Sequence, residues 1–386
     1  MNKSVLILGR QPKISLAELE SLFGASNFEL LNNQSVEVNI PSSKIKLEQL
    51  GGSIKLCALI NTLPSTNWTD ITNYISSNLS QFINNSSGKV TLGLSVYGTT
   101  ISSQKINSTN LVLKKIIKER FGVPVRVVPN SNSYLNSAQI IHNKLVKENG
   151  VELVICISKN KATIARTIQI QDIYAYSKRD QKRPARDSKV GMLPPKLAQI
   201  LVNLAIGQNL PSILLDPFCG TGVVLQEAYL RGLTPYGTDI DDRMVSYSTQ
   251  NINWLLNATN SFKINQADAT NFKWDKFDTI ASETYLGRPF STEPNTTKLN
   301  IVIQDVNTIL KKFLKNLATQ TTPGFRLCLA VPAWFTKNGI KHLPIIDQLS
   351  YLGYTQMSFV NAKNSDLIYH RQNQIVGREL LVLIRK

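Results

Sequence analysis

The chain of 386 residues carries 43 Lys and Arg against 26 Asp and Glu, a net charge of +17, with 42% hydrophobic and 18% charged residues. That balance excludes a disordered chain and a single small domain, and predicts two or three separate cores. Near the N-terminus only Val5–Leu8 forms an apolar run, and no segment approaches the roughly 18 apolar residues of a membrane span, so a cytoplasmic protein without membrane contact is expected.

The first elements are short. Val5–Leu8 predicts a strand, residues 15–23 a helix with Ser15 as N-cap, Glu18 closing a capping box and Gly24 as stop, and residues 36–40 an alternating strand. Together they make a small α+β domain over residues 1–60. A helix over 71–83, a strand over 91–97, an amphipathic basic helix over 109–120, a strand over 125–128, a helix over 136–147 and strands over 153–157 and 163–167 predict a second α/β domain, 61–172. Residues 173–190 form a basic linker, in which Lys178, Arg179, Lys182, Arg183, Arg186 and Lys189 stand against two acids. Such a stretch is either a solvated hinge or a stripe that contacts phosphates. Residues 1–190 hold 24 basic and 12 acidic side chains, so most of the excess charge lies in this half. A basic surface of that size points to a polyanion, most often nucleic acid, with a solubility adaptation as the alternative.

From Gly191 onward the pattern becomes regular. A helix entered through Pro194 and Pro195 is followed by a strand at 213–215, a helix at 222–231, a strand at 235–239, a helix at 242–256 and strands at 263–266 and 278–282. A helix at 299–317, a strand at 327–331 and closing strands at 355–360 and 380–384 complete a doubly wound, mostly parallel sheet.

The most informative stretch is LLDPFCGTGVVLQEA, residues 214–228. An apolar strand runs into a turn where Gly220 and Gly222 permit close approach of a ligand to the backbone, and a helix starts at once. The first N–H groups of that helix suit a carboxylate, and Asp216 suits an ammonium. A turn that takes both ends of an amino acid fits S-adenosylmethionine better than a pyrophosphate, and the Gly-x-Gly-x-x-Gly order is absent. Asp239 ends the next strand, 23 residues on, where a carboxylate accepts ribose hydroxyls, and Asp268 ends the third, where an acceptor for an adenine amine belongs. Cys219 reads as a packing thiol beside the ligand rather than a nucleophile. The four cysteines (Cys57, Cys156, Cys219, Cys328) form no Cys-x-x-Cys pair, so neither zinc nor a disulfide framework is expected. After the fourth strand, where such donor pockets normally carry Asp/Asn-Pro-Pro-Tyr/Phe, the chain reads Ser282-Glu283-Thr284-Tyr285.

LGRQPKISLAELESLFG, KVGMLPPKLAQILVNLA, DPFCGTG, TDID and RQNQIVGREL together resemble the THUMP-domain RNA methyltransferases, and within them the branch that modifies the exocyclic N2 amine of guanosine at tRNA position 10. The resemblance implies an N-terminal ferredoxin-like α+β domain over 1–60, a THUMP RNA-binding domain over 61–172, and a Rossmann-like methyltransferase domain with a seven-stranded sheet over 191–386. It implies S-adenosylmethionine as cofactor and tRNA as partner. No metal is expected, and the sequence leaves the oligomeric state open, with a monomer as the default expectation. Carried onto this chain, it places Asp216, Gly220 and Gly222 at the methionine part, Asp239 at the ribose and Asp268 at the adenine, with Phe218, Ile240 and Ala269 in the same donor site. Ser282, Glu283, Thr284 and Tyr285 fall at the target base, and Arg288 and the basic linker residues at the RNA.

The departure at 282–285 bears on the chemistry. Methylating an aromatic amine requires its lone pair to point at the sulfonium methyl, and the usual motif imposes this with an Asp/Asn side chain and a proline carbonyl that accept the two N–H bonds. Tyr285 keeps the stacking role. Ser282 is the weaker acceptor, and Glu283 either accepts from guanine N1–H and the amine or pairs with Arg288. Two functions follow: an N2-guanine RNA methyltransferase with an atypical motif, or an RNA-binding protein that keeps the fold with weak or absent transfer. Transfer to another RNA base is a variant of the first.

Overall fold

A computed structural model describes residues 3–83, 88–187, 192–256, 261–290, 292–372 and 374–386. They fall into two compact units: Met1–Pro12, Ser26–Glu48 and Ser53–Ile173 in one, and Lys13–Ala25, Gln49–Gly52 and Tyr174–Lys386 in the other.

The chain begins with β1 (Ser4–Leu8), α1 (Pro12–Phe23), β2 (Phe28–Asn32), β3 (Ser35–Val38) and β4 (Ser53–Leu63). It continues with α2 (Trp68–Ser77), β5 (Val90–Tyr97), α3 (Ser103–Phe121), β6 (Val125–Val127), α4 (Ser137–His142), β7 (Gly150–Ile157) and β8 (Ala162–Ile170). The first unit is an eight-stranded sheet in the order β2-β3-β1-β4-β8-β7-β5-β6. The stretches expected as separate domains, 1–60 and 61–172, therefore share one sheet. The reason is β4, an 11-residue strand that crosses the expected boundary and pairs with β1 on one edge and β8 on the other. Helices α2 and α3 cover one face through Ile71, Ile75, Ile106, Leu113 and Ile117. Inside the sheet, Lys55 and Glu152 form a fully buried ion pair at 2.6 Å, and Ser95 donates to the same carboxylate.

In the second unit, α5 (Ile173–Gln181) and α6 (Pro195–Ile206) lead into β9 (Ile213–Asp216), α7 (Val223–Leu230), β10 (Thr234–Asp239), α8 (Asp242–Leu256) and β11 (Lys263–Gln266). Then come β12 (Thr279–Glu283), α9 (Thr296–Ala318), β13 (Arg326–Thr336), β14 (Gly339–Lys341), β15 (Tyr354–Gln356), β16 (Ile368–Tyr369) and β17 (Val376–Arg385). Seven strands run β11-β10-β9-β12-β13-β17-β15, with β14 and β16 as short additions on β13 and β17. β11 to β13 are parallel, and β17 is antiparallel to both its neighbours. This is the doubly wound seven-stranded α/β fold expected from the sequence. On one face α9 lays down Leu299, Val302, Val306, Leu310, Phe313 and Leu317. On the other lie α6 and α7, with Ile14 and Ala17 of α1 packed against them. A helix apolar all round must be covered on every side, and α1 supplies the cover that LAQILVNLA requires.

That packing corrects the reading of α1. The helix starts at Pro12, so Ser15 and Glu18 lie inside it and form no capping box. The Glu18 carboxylate accepts the N–H groups of Gly51 and Gly52, both at 2.8 Å, and the Asn203 amide at 2.7 Å, while Ser15 donates to the Gly52 carbonyl. A Cβ on Gly52 would lie 2.6 Å from Ser15 Oγ, which only glycine avoids. The expected linker is also largely structured. α5 reaches Gln181, and Arg179 pairs at 2.7 Å with the buried carboxylate of Glu227.

No helix among the described residues is long and apolar enough to cross a membrane, and no group of three or more His, Cys, Asp or Glu among them is arranged to hold a metal ion.

Candidate active site

The carboxyl ends of β9, β10 and β12 lie side by side: Gly237 is in register with Asp216, Ile280 with Leu215, and Glu283 with Ala330 of β13. The connections leave β9 in opposite directions here, which is where doubly wound sheets open a ligand crevice. Asp216 is 1% exposed, and its Oδ1 accepts the Phe218 N–H at 3.2 Å and the Ser282 hydroxyl at 2.5 Å. In the turn that follows, Cys219 N–H donates to the Thr238 carbonyl and Gly222 N–H to the Cys219 carbonyl, while Gly220 N–H donates to Asp239 Oδ2 at 2.8 Å. Gly220 and Gly222 have φ of +50° and +78°. A Cβ at Gly222 would press within 2.9 Å of Ser248, whereas at Gly220 the nearest atom is 4.0 Å away. Gly222 is therefore required by packing, and Gly220 faces open space.

The other residues expected at a donor site follow the carboxyl ends of the same parallel strands. Asp239 Oδ1 accepts the Asp241 N–H, and Asp268 Oδ1 accepts the Thr270 N–H. Ile240 is 66% exposed, Phe218 meets Phe313 edge-on, and Ala269 is buried with its carbonyl bonded to Asn316. A small cavity of about 80 Å³ is lined by Asp187, Met192, Asp216, Gly220, Thr221 and Glu283 among others.

Its walls are acidic. Burial pushes the Asp216 carboxyl up to about 7, and the negative charges of Asp239 and Glu283 add to the effect. Burial also raises Asp239, and raises Glu283 against the opposing pull of Arg378. The folded chain thus holds a proton on Asp216 that the unfolded chain, at its ordinary 3.8, has lost. The contribution of this group to stability is complete below the unfolded value and declines as pH rises towards about 7. Asp216→Asn, which cannot ionise, is expected to gain melting temperature relative to the parent by a few degrees as pH rises through that window. Differential scanning fluorimetry of both proteins checks this, and a constant difference would mean that Asp216 stays ionised in the fold.

The 282–285 stretch differs from its expected arrangement. Ser282 is fully buried and gives its hydroxyl to Asp216, so it presents no acceptor to a base. Thr284 bonds the Ala330 carbonyl through both its N–H and its hydroxyl, which pins the backbone where the usual motif has proline. Tyr285 is 42% exposed. Glu283 accepts from Arg378 Nε at 2.6 Å, and Arg288, the partner considered from the sequence, is exposed instead. Arg378 lies 95 residues from Glu283, on the strand that flanks β13 from the other side. The sequence held one signal for it, since Arg378 stands within RQNQIVGREL.

The basic stripe is divided. Lys182 and Arg186 are exposed, as is Lys178, whose ammonium lies over the Trp254 ring. Arg179 is spent on Glu227, and Arg183 is buried, so neither is available to a phosphate. Lys189 lies outside the described residues. Asn251, which the sequence reading missed, holds residues 182–187 in place: it exchanges two bonds with Ala185 and donates to the Thr221 carbonyl.

A doubly wound sheet with carboxylates at adjacent strand ends around an open glycine turn defines a Rossmann-like methyltransferase domain. Residues 182–330 match the family model UPF0020, the RMKL-like methyltransferase domain. Over 230 residues, 56% of this chain and 64% of its own, the tRNA (guanine(10)-N2)-dimethyltransferase of Methanothermobacter thermautotrophicus is 26% identical. The enzyme of the same name from Pyrococcus abyssi is 26% identical over 234 residues, 58% of this chain and 66% of its own. The chain thus spans just under two thirds of the length of the curated relatives it matches. TrmN from Thermus thermophilus, a solved structure, shares the fold across both whole chains with a TM-score of 0.50 and 16% identity.

Proposed function

We propose that the protein is an S-adenosylmethionine-dependent RNA methyltransferase acting on the exocyclic N2 amine of a guanosine in tRNA, position 10 by analogy with the relatives. The observation that carries this reading is the convergence of Asp216, Asp239 and Glu283 on one crevice whose glycine turn leaves open space at Gly220. The donor set fits the cofactor: Asp216 for the ammonium, Asp239 for the ribose hydroxyls and Asp268 for the adenine amine, with exposed Ile240 beside the base. When bound, the cofactor supplies an electrophilic methyl group on a sulfonium. Glu283 lines the same cavity, and Arg378 engages its Oε1, which leaves Oε2 to accept from the guanine amine and N1–H and so direct the lone pair. Tyr285 stacks on the base. Because Ser282 is bound to Asp216, the amine-orienting role falls to Glu283.

The first unit serves as the RNA grip, with a THUMP-type part beyond residue 61 and exposed cations on α3 such as Lys115, Lys118 and Arg120. Reversing the exposed Lys178, Lys182 and Arg186 together should flatten the dependence of log affinity on log salt by about 2–3 units. Filter binding at several salt concentrations checks this, and an unchanged slope assigns the segment a purely structural role. Mass spectrometry of nucleosides from tRNA incubated with the protein and labelled donor tests the activity itself. Label in N2-methyl- or N2,N2-dimethylguanosine is expected. RNA binding without any labelled nucleoside would support the binding-protein reading that the loss of both prolines favours.

A further inference from the structure

We propose that Arg183 is the cation that receives the carboxylate of the donor's amino-acid tail, an inference that rests on the donor-site reading above. Arg183 is 3% exposed, and among the described residues no carboxylate lies within ion-pair distance of it. Its Nε has no hydrogen-bond partner there. Its terminal nitrogens make two long contacts, to Thr221 Oγ1 at 3.4 Å and to the Met192 sulfur at 3.5 Å. Both of those residues line the donor cavity. A guanidinium withdrawn from water needs an anion with matching geometry, and a carboxylate meets it with two parallel bonds.

Two further observations make this the place for the carboxylate. The backbone of the glycine turn offers little: the N–H groups of Phe218, Cys219, Gly220 and Gly222 are already spent on Asp216, Thr238, Asp239 and Cys219. The other charged side chains in the cavity wall, Asp187, Asp216 and Glu283, offer a carboxylate no cation, and two of them are already matched, Asp187 by Arg243 at 3.3 Å and Glu283 by Arg378 at 2.6 Å. Asp216 remains for the ammonium, which leaves the carboxylate of the tail without a partner other than Arg183 and the first turn of α7. The side chain is held in position from behind, because Asn251 fastens Ala185 to the carbonyl of Thr221. The basic stretch, which the sequence reads as either a hinge or a phosphate stripe, thus turns one of its cations inward, to residues that line the cavity.

Calorimetry on the full chain tests this with three ligands: S-adenosylmethionine, its decarboxylated form, which keeps both cations, and methylthioadenosine, which lacks the whole tail. Arg183→Gln is expected to weaken S-adenosylmethionine more than about tenfold, with Arg183→Lys between it and the parent, because the charge stays and the planar fork is lost. The two ligands without a carboxylate should change by less than about twofold. A comparable loss for all three ligands, or no loss for any, overturns the proposal. Should Arg183→Gln fail to fold, the same selectivity is read from Arg183→Lys. If the parent protein binds none of the three, it is the donor-site reading that fails, and that outcome is separate from a failure of Arg183.

Discussion

Glu283→Gln is expected to slow methyl transfer about a hundredfold or more, the usual cost of removing a positioned polar group from a reacting centre, while donor affinity stays nearly unchanged. The amide keeps the size of the carboxylate but offers the guanine edge a mixed donor and acceptor. It also leaves the Arg378 guanidinium, which is 6% exposed, without its counter-charge. Breaking a buried pair on one side costs about 3–5 kcal/mol, so a loss of rate could come from a loosened fold. The double variant Glu283→Gln with Arg378→Met separates the two effects. Replacing both partners restores an uncharged, filled site, so its melting temperature should recover towards the parent value while transfer stays low. A double variant that is stable and methylates guanosine at the parent rate would reduce Glu283 to a scaffold residue.

Asp239→Ala is expected to weaken S-adenosylmethionine by more than about tenfold, since charge-assisted hydrogen bonds to the ribose are lost. The structure adds a second reason. Both oxygens of Asp239 are anchored in the fold, one on Gly220 N–H and the other on Asp241 N–H, so the side chain also holds the glycine turn in shape. The loss should therefore extend to methylthioadenosine, which shares the nucleoside, in contrast to the selective loss expected at Arg183. Calorimetry with both ligands distinguishes the two positions. Unchanged affinity for either ligand would take Asp239 out of the site.

Local chemistry in the sequence determined much of the second unit. Strand and helix periods are set by backbone sterics among near neighbours, and α8 and β11 fall on the residues expected from that pattern alone. The glycine turn after β9 and the acids at successive strand ends were legible for the same reason, because a strand–turn–helix passage demands those residue types over a few positions. What the tertiary structure decided is where side chains with more than one possible partner went. Ser15 and Glu18 have the spacing of a capping box, yet they are drawn into bonds with Gly52, Gly51 and Asn203, because α1 lies against α6 rather than at a free helix end. Glu283 chose between an arginine five residues away and one in the closing strand, and sheet order brought Arg378 to it. Arg179 and Arg183 belong to a run that looks uniformly solvated, but once α5 and residues 182–187 pack against the second unit's core one meets Glu227 and the other the cavity wall. A period in sequence fixes which face a residue occupies, whereas its partner depends on which elements the fold sets side by side, and no local pattern carries that information.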